Sequence, residues 1–114
     1  MSISYEAIGQ VMVTCQADET TVEGQVVKMS GNDTVAACAA GEQICGVAAY
    51  VAEDGFVAVH VKGFVTVTCD DSVAVGYMSL TADGNGGVKA AGSSDKGINV
   101  LVMKVEDGTA VICL

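Results

Sequence analysis

Hydrophobic and polar positions alternate most clearly between Phe56 and Cys69. Val57, Val59 and Val61 fall on one face, and Phe56, Ala58, His60 and Lys62 on the other. Beyond Gly63 the alternation resumes with Val65, Val67 and Cys69. A period of two over this length predicts extended chain with one apolar and one mixed face. Gly63 then marks a bulge, a bend or a change of direction. Further β-branched runs occupy Gly9–Cys15, Gly24–Ser30, Val35–Cys38, Ile44–Val51, Val73–Leu80, Ile98–Val105 and Ala110–Leu114. Polar or glycine-rich segments separate them, and Asp83-Gly-Asn-Gly-Gly87 is the strongest loop signal. Glu53-Asp-Gly55 and Glu106-Asp-Gly108 lie between apolar runs. Both are hairpin signals, because glycine accepts the positive φ of tight turns. The pattern predicts an all-β fold, a small barrel or sandwich of short antiparallel strands joined by hairpins.

Two segments admit another reading. Val35 to Ala52 is alanine-rich and helical by propensity, although Gly41 and Gly46 interrupt it. Ile3, Ala7, Ile8 and Val11 sit at helical spacing. Residues 1–8 are therefore read as an N-terminal arm or short helix, ahead of one β domain over residues 9–114. An internal echo is also present. Val51-Ala-Glu-Asp-Gly-Phe-Val-Ala-Val59 resembles Lys104-Val-Glu-Asp-Gly-Thr-Ala-Val-Ile112, and Met29-Ser30 matches Met78-Ser79. The echo is either two related halves wrapping one barrel or coincidence in a Val/Gly/Ala-rich chain.

Composition narrows the function. The chain has 114 residues, 51% of them hydrophobic, and a mean hydropathy of +0.49, which excludes disorder. Fourteen acidic residues face five lysines and no arginine, for a net charge of -9. Such a charge repels nucleic acid and anionic membranes. Without arginine the forked recognition of phosphate is lost. No run approaches the roughly 20 apolar residues of a membrane span. The first residues lack the basic region of a secretory signal, so synthesis in a reducing cytoplasm is expected. The five cysteines then read as small buried hydrophobes.

Little of the sequence carries chemistry. His60 is the single histidine and has no serine elbow to serve. No Cys-x-x-Cys pair offers zinc ligands. Asp70-Asp71, Asp83 and Asp107 suggest calcium-binding oxygens, yet the spaced acids of a calcium loop are missing and solvated turns fit better. Met103-Lys104 is faintly like the modified lysine of biotin-carrying domains, but the turn falls at Glu106-Asp-Gly108 instead. No catalytic residue, metal ligand or cofactor is expected.

Several motifs resemble a family of small phage capsid-stabilising proteins. They are Gly24-Gln-Val-Val-Lys-Met-Ser30, Ala40-Gly41, Ile44-Cys-Gly-Val47, Val73-Ala-Val-Gly76, Val88-Lys-Ala-Ala-Gly92 and Gly108-Thr-Ala-Val111. The stretch from Ile44 to Val65 is similar to the middle of lambda-type head decoration proteins. The resemblance implies a β-barrel-like fold without catalysis, attached to the outside of a virion. Its implied partners are the major capsid protein and further copies of the chain, a trimer being favoured. Ile3, Tyr5 and Ile8 are then candidate contacts with the capsid or a neighbouring subunit, since a terminal segment seldom carries such residues without a dock. The alternative is a surface module that binds a glycan or host protein through exposed aromatics such as Tyr50 or Tyr77.

Overall fold

The structure, a computed structural model, describes residues 10–114. Ile3, Tyr5 and Ile8, and the arm or helix expected over residues 1–8, lie outside the described residues. Ten strands and no helix are found among the described residues. β1 (Val11–Ala17), β2 (Val26–Gly31), β3 (Thr34–Ala37), β4 (Gly46–Val51) and β5 (Phe56–Lys62) close into a barrel in the order β1-β3-β2-β4-β5. The β1–β3 pair is parallel and the others are antiparallel. β6 (Phe64–Thr68), β7 (Gly76–Ala82), β8 (Val88–Ala90), β9 (Ile98–Glu106) and β10 (Thr109–Cys113) form a second, antiparallel sheet ordered β6-β10-β9-β7-β8.

The all-β expectation holds, and the helical alternative for Val35–Ala52 gives way to β3, a loop and β4. Gly63, at φ +102, is where the chain leaves the barrel for the second sheet. The long alternating run is thus two strands in two sheets. The strand expected over Val73–Leu80 begins only at Gly76, because Asp70 first folds a turn through hydrogen bonds from the Ser72 amide and hydroxyl. β8, three residues long, had too little pattern to be anticipated.

The internal echo is structural, but the two halves do not wrap one barrel: each builds its own sheet with the same connectivity. The β2–β3 pairing of Val27 with Ala37 recurs in β7–β8 as Leu80 with Ala90, a shift of 53 for both residues. The parallel contact of Ala17 with Val35 recurs as a single bridge between Cys69 and Val88. The Asp18 carboxylate accepts from the Thr20 amide and hydroxyl as Asp70 does from Ser72. Both hairpin-entering strands skip one residue, Ala49 in β4 and Met103 in β9, as a bulge does. The register places Met29 opposite Val35 and Ala82 opposite Val88, so Met29 corresponds to Ala82. The Met29-Ser30 and Met78-Ser79 match is therefore out of register.

The halves are joined by a shared wall. Val27, Val35, Ala48, Val57, Val59 and Cys15 fill the barrel. Val26 and Val47 point the other way and complete the core of the second sheet with Val65, Leu80, Val102 and Ile112. Neighbours Val26 and Val27 thus serve different cores, which explains why this stretch does not alternate. Backbone bonds fasten the seam: Val26 N–H to the Gly86 carbonyl (3.0 Å), Gly41 N–H to Ala82 (2.9 Å), and Ala82 N–H to Glu42 (3.1 Å). The fully buried Thr81 hydroxyl lies 3.0 Å from the Glu42 carbonyl and 2.9 Å from that of Lys96. Gly46 packs so tightly that a Cβ there would overlap the His60 carbonyl and sit 2.9 Å from Val59 Cγ1.

Two substitutions test this joint. Thr81→Val keeps the shape but removes the hydroxyl shared by the two carbonyls, leaving Glu42 its Ala82 amide donor, and should lower unfolding free energy by about 1–2 kcal/mol. Gly46→Ala should cost more, about 2–4 kcal/mol, since backbone blocks the added methyl. Urea unfolding of both variants measures the difference.

Candidate functional site

His60 is the first place to look for chemistry. It lies on β5, opposite Met12 on one side and Val47 on the other. It lines a cavity of about 390 Å³ with Gln10, Glu23, Phe64 and Thr66. Its Nδ1 is the one buried side-chain polar atom without a hydrogen-bond partner among the described residues. A general base works on a nucleophile within hydrogen-bond reach and is oriented by a third group. No hydroxyl, thiol or carboxylate is bonded to that nitrogen.

A larger cavity, about 530 Å³, lies beside Lys28, Glu42, Cys45 and Lys96. Glu42 fixes its character. One carboxylate oxygen accepts from the Ala39 amide (2.7 Å) and from Lys28 Nζ (2.7 Å), and the other lies 2.6 Å from Nζ. The Lys28 hydrogen bonds, then the Ala39 amide, hold the Glu42 carboxyl below its ordinary range, and Glu42 in turn raises Lys28. Both charges are engaged with each other, so the pair ties the Ala39–Glu42 loop to β2. Nearby, burial pushes the Cys38 thiol up to about 11, with Glu42 and Cys45 adding to the shift. That thiol is a packing group at neutral pH.

The acidic turns are built for folding. Asp83 accepts from the amides of Asn85 (2.6 Å) and Gly87 (3.1 Å). Hydrogen bonds from the Thr20 backbone and then its hydroxyl lower the Asp18 carboxyl; the Ser72 hydroxyl and then its amide do so for Asp70. No group of three or more His, Cys, Asp or Glu side chains able to hold a metal occurs among the described residues. Lys104 stands on β9, 3.0 Å from Glu106, while Asp107 and Gly108 form the hairpin tip with positive φ. The lysine is thus outside the turn, as its sequence position implied.

The outer face of the barrel is different in kind. Cross-strand partners share a face of a sheet. Thr14 stands opposite Ala58, Ala58 opposite Tyr50, and Gln16 opposite Phe56. Their strand neighbours Cys15, Val57 and Val59 are buried inside, so these side chains point out. Tyr50 is 61% exposed, and Phe56 and Met12 are each 46% exposed. Further along the same face, Val47 disappears under the second sheet. What remains exposed among the described residues is an aromatic and aliphatic patch on β1, β5 and β4.

Carboxylates edge this patch. The Asp33 carbonyl accepts from Gln16 N–H (2.6 Å), the Gly55 carbonyl from Ala17 N–H (2.7 Å), and the Val35 carbonyl from Asp18 N–H (2.9 Å). These bonds draw three turns to one end of the barrel. The end carries Asp18, Glu19, Asp33, Glu53 and Asp54, all exposed except the half-buried Asp18. Phe56 comes two residues later in the chain, and its amide is 3.3 Å from the Asp54 carboxylate. Of the residues named from sequence, Tyr50 belongs to the patch, whereas Tyr77 stands on β7 in the other sheet, opposite Leu101. Phe56 was missed as a surface residue. Its signal was the mixed face of the alternating run.

No protein-family model matches the chain, and no curated protein matches it.

Two measurements test these assignments. A carboxyl with a depressed folded value contributes stability above its unfolded value, lost as pH falls through the folded one. Glu42→Gln should therefore be less stable than wild type at neutral pH, with the two melting curves converging below the ordinary glutamate range. In native protein at pH 8, Cys38 and Cys15 should resist a thiol reagent that labels all five cysteines in denaturant, read by mass spectrometry.

Proposed function

We propose that this protein is a non-enzymatic attachment protein that binds the outside of a phage capsid and stabilises it. The carrying observation is the uncovered patch of Tyr50, Phe56 and Met12 on a barrel whose interior is already filled. A closed barrel has no need of large apolar side chains on its solvent side. Their grouping is the usual mark of a protein contact. The motif resemblance is what points to the major capsid protein as the partner. Neither cavity offers the paired, oriented groups of a reaction centre. The charge of -9 keeps the free protein soluble and disfavours nucleic acid.

The physical task is modest per copy. A head under internal pressure ruptures at junctions between subunits. A small protein bridging each junction adds binding free energy there, and the effect multiplies over the shell. Copies of this chain beside one another, a trimer above all, would place several patches on the shell at once. After synthesis in the host cytoplasm the protein would reside on the virion exterior.

A second reading has one observation in its favour. Tyr50 and Tyr77 are 61% and 75% exposed, and exposed aromatic rings are how many sugar-binding surfaces stack on their ligands.

The deciding experiment mixes purified protein with undecorated heads. Comigration with the heads on a sucrose gradient and a higher rupture temperature are expected. Absence of both removes the capsid reading, and saturable binding on a glycan array would put the second in its place.

A further inference from the structure

The duplication makes the molecule its own control. The two halves share connectivity, turn chemistry and hairpin geometry, so residues the fold requires should recur at equivalent positions. Buried ones do: Val57 and Val59 correspond to Ala110 and Ile112, all nearly inaccessible. The exposed anchors do not. The β1–β5 pair Gln16 and Phe56 becomes Thr68 and Thr109 in the second sheet. The β4–β5 pair Tyr50 and Ala58 becomes Lys104 and Val111. The same scaffold thus folds with threonine and lysine where the barrel exposes phenylalanine and tyrosine. The aromatic rings are not there for folding.

Charge diverges in the same way. Both halves carry acidic turns at the equivalent end, Asp18-Glu19 with Glu53-Asp54 in one and Asp70-Asp71 with Glu106-Asp107 in the other. In the second half Lys104 pairs with Glu106, and Lys89 acts on Asp70. Among the described residues no lysine forms an ion pair with the barrel-end carboxylates. Lys28 is held by Glu42 elsewhere, and Lys62 closes β5 at the end opposite Phe56. Phe56 and Tyr50 therefore stand beside carboxylates with no lysine ion pair among the described residues, and their equivalents in the second half are threonine and lysine.

Building on the capsid reading, we propose that the barrel end, with Phe56 and Tyr50 as anchors and Glu19, Asp33, Glu53 and Asp54 as rim, is the docking face. Its partner is a basic protein surface on the shell, with an apolar recess for the two rings ringed by lysine or arginine. A second copy of this chain does not fit that description, since two such rims would repel. Complementary charge across the rim speeds encounter and fixes orientation, while the rings supply residence time.

The test uses the full chain and undecorated heads. Three double variants are compared with wild type: Tyr50→Lys with Phe56→Thr, which installs what the second half already tolerates; Glu53→Gln with Asp54→Asn; and Glu106→Gln with Asp107→Asn as the control. The first two should weaken binding by about tenfold or more, and the control by less than about twofold. Added salt should weaken wild type more steeply than the Glu53/Asp54 variant. Thermal melts verify folding; should the aromatic variant fail to fold, the rim variant and the salt slopes decide alone. Binding that survives both barrel variants, or falls equally in the control, overturns the docking face and leaves the capsid reading standing. Wild type that ignores the heads removes both.

Discussion

Everything in this fold depends on a wall with two apolar sides. Val26 and Val27 are consecutive, as are Val47 and Ala48, yet one member of each pair fills the barrel and the other fills the core of the second sheet. Burial on both faces gives β2 and β4 a large hydrophobic driving force for their length. At Val26-Val27 and Val47-Ala48 it leaves no polar side to prescribe register, because a slip by one residue there would exchange one apolar side chain for another. Register is held by other means. The backbone bonds of Gly41, Ala82 and Val26 across the seam allow one alignment, and Gly46 admits the β5 backbone at a distance no other residue permits.

Much of this was legible in the sequence, and the parts that were not share a cause. Strands with one wet face announce themselves, so Phe56–Lys62 was read correctly down to its buried valines. Asp-Gly at the hairpin tips was equally plain; Asp107 and Gly108 both take positive φ. Division into two sheets was hidden because Gly63 turns the chain without breaking the alternation. Closure of the barrel rests on β1 meeting β3 in parallel, a contact between distant segments that no local pattern encodes. The echo was visible at Glu53-Asp-Gly55 and Glu106-Asp-Gly108, where turn chemistry constrains side chains. It went astray at Met29 and Met78, where mere aliphatic likeness stood in for register.

The candidate surface was harder still. The outward face of β4 and β5 is exposed at Tyr50 and Phe56 and covered at Val47, because the second sheet lies over part of it. Sequence periodicity gives a side chain's face but not what lies on that face. Tyr50 was singled out as an aromatic with solvent access; Phe56 was placed on the mixed face of its strand but not named as a contact residue. Only comparison of the two halves at equivalent positions separates the residues that hold the fold from those free to serve something else.

The halves also close differently. In the first, β1 and β3 meet through two residue pairs, Gln16 with Thr34 and Ala17 with Val35; in the second, Cys69 and Val88 form a solitary bridge. The second closure leans on a side chain and a close approach: the Ser72 hydroxyl accepts from the Ala90 amide (2.9 Å), and Gly87 lies so near Thr68 that a Cβ there would overlap its carbonyl. That seam is thus closed largely by a hydroxyl and a missing methyl, so point substitutions at Ser72 or Gly87 reach it where the barrel has paired backbone.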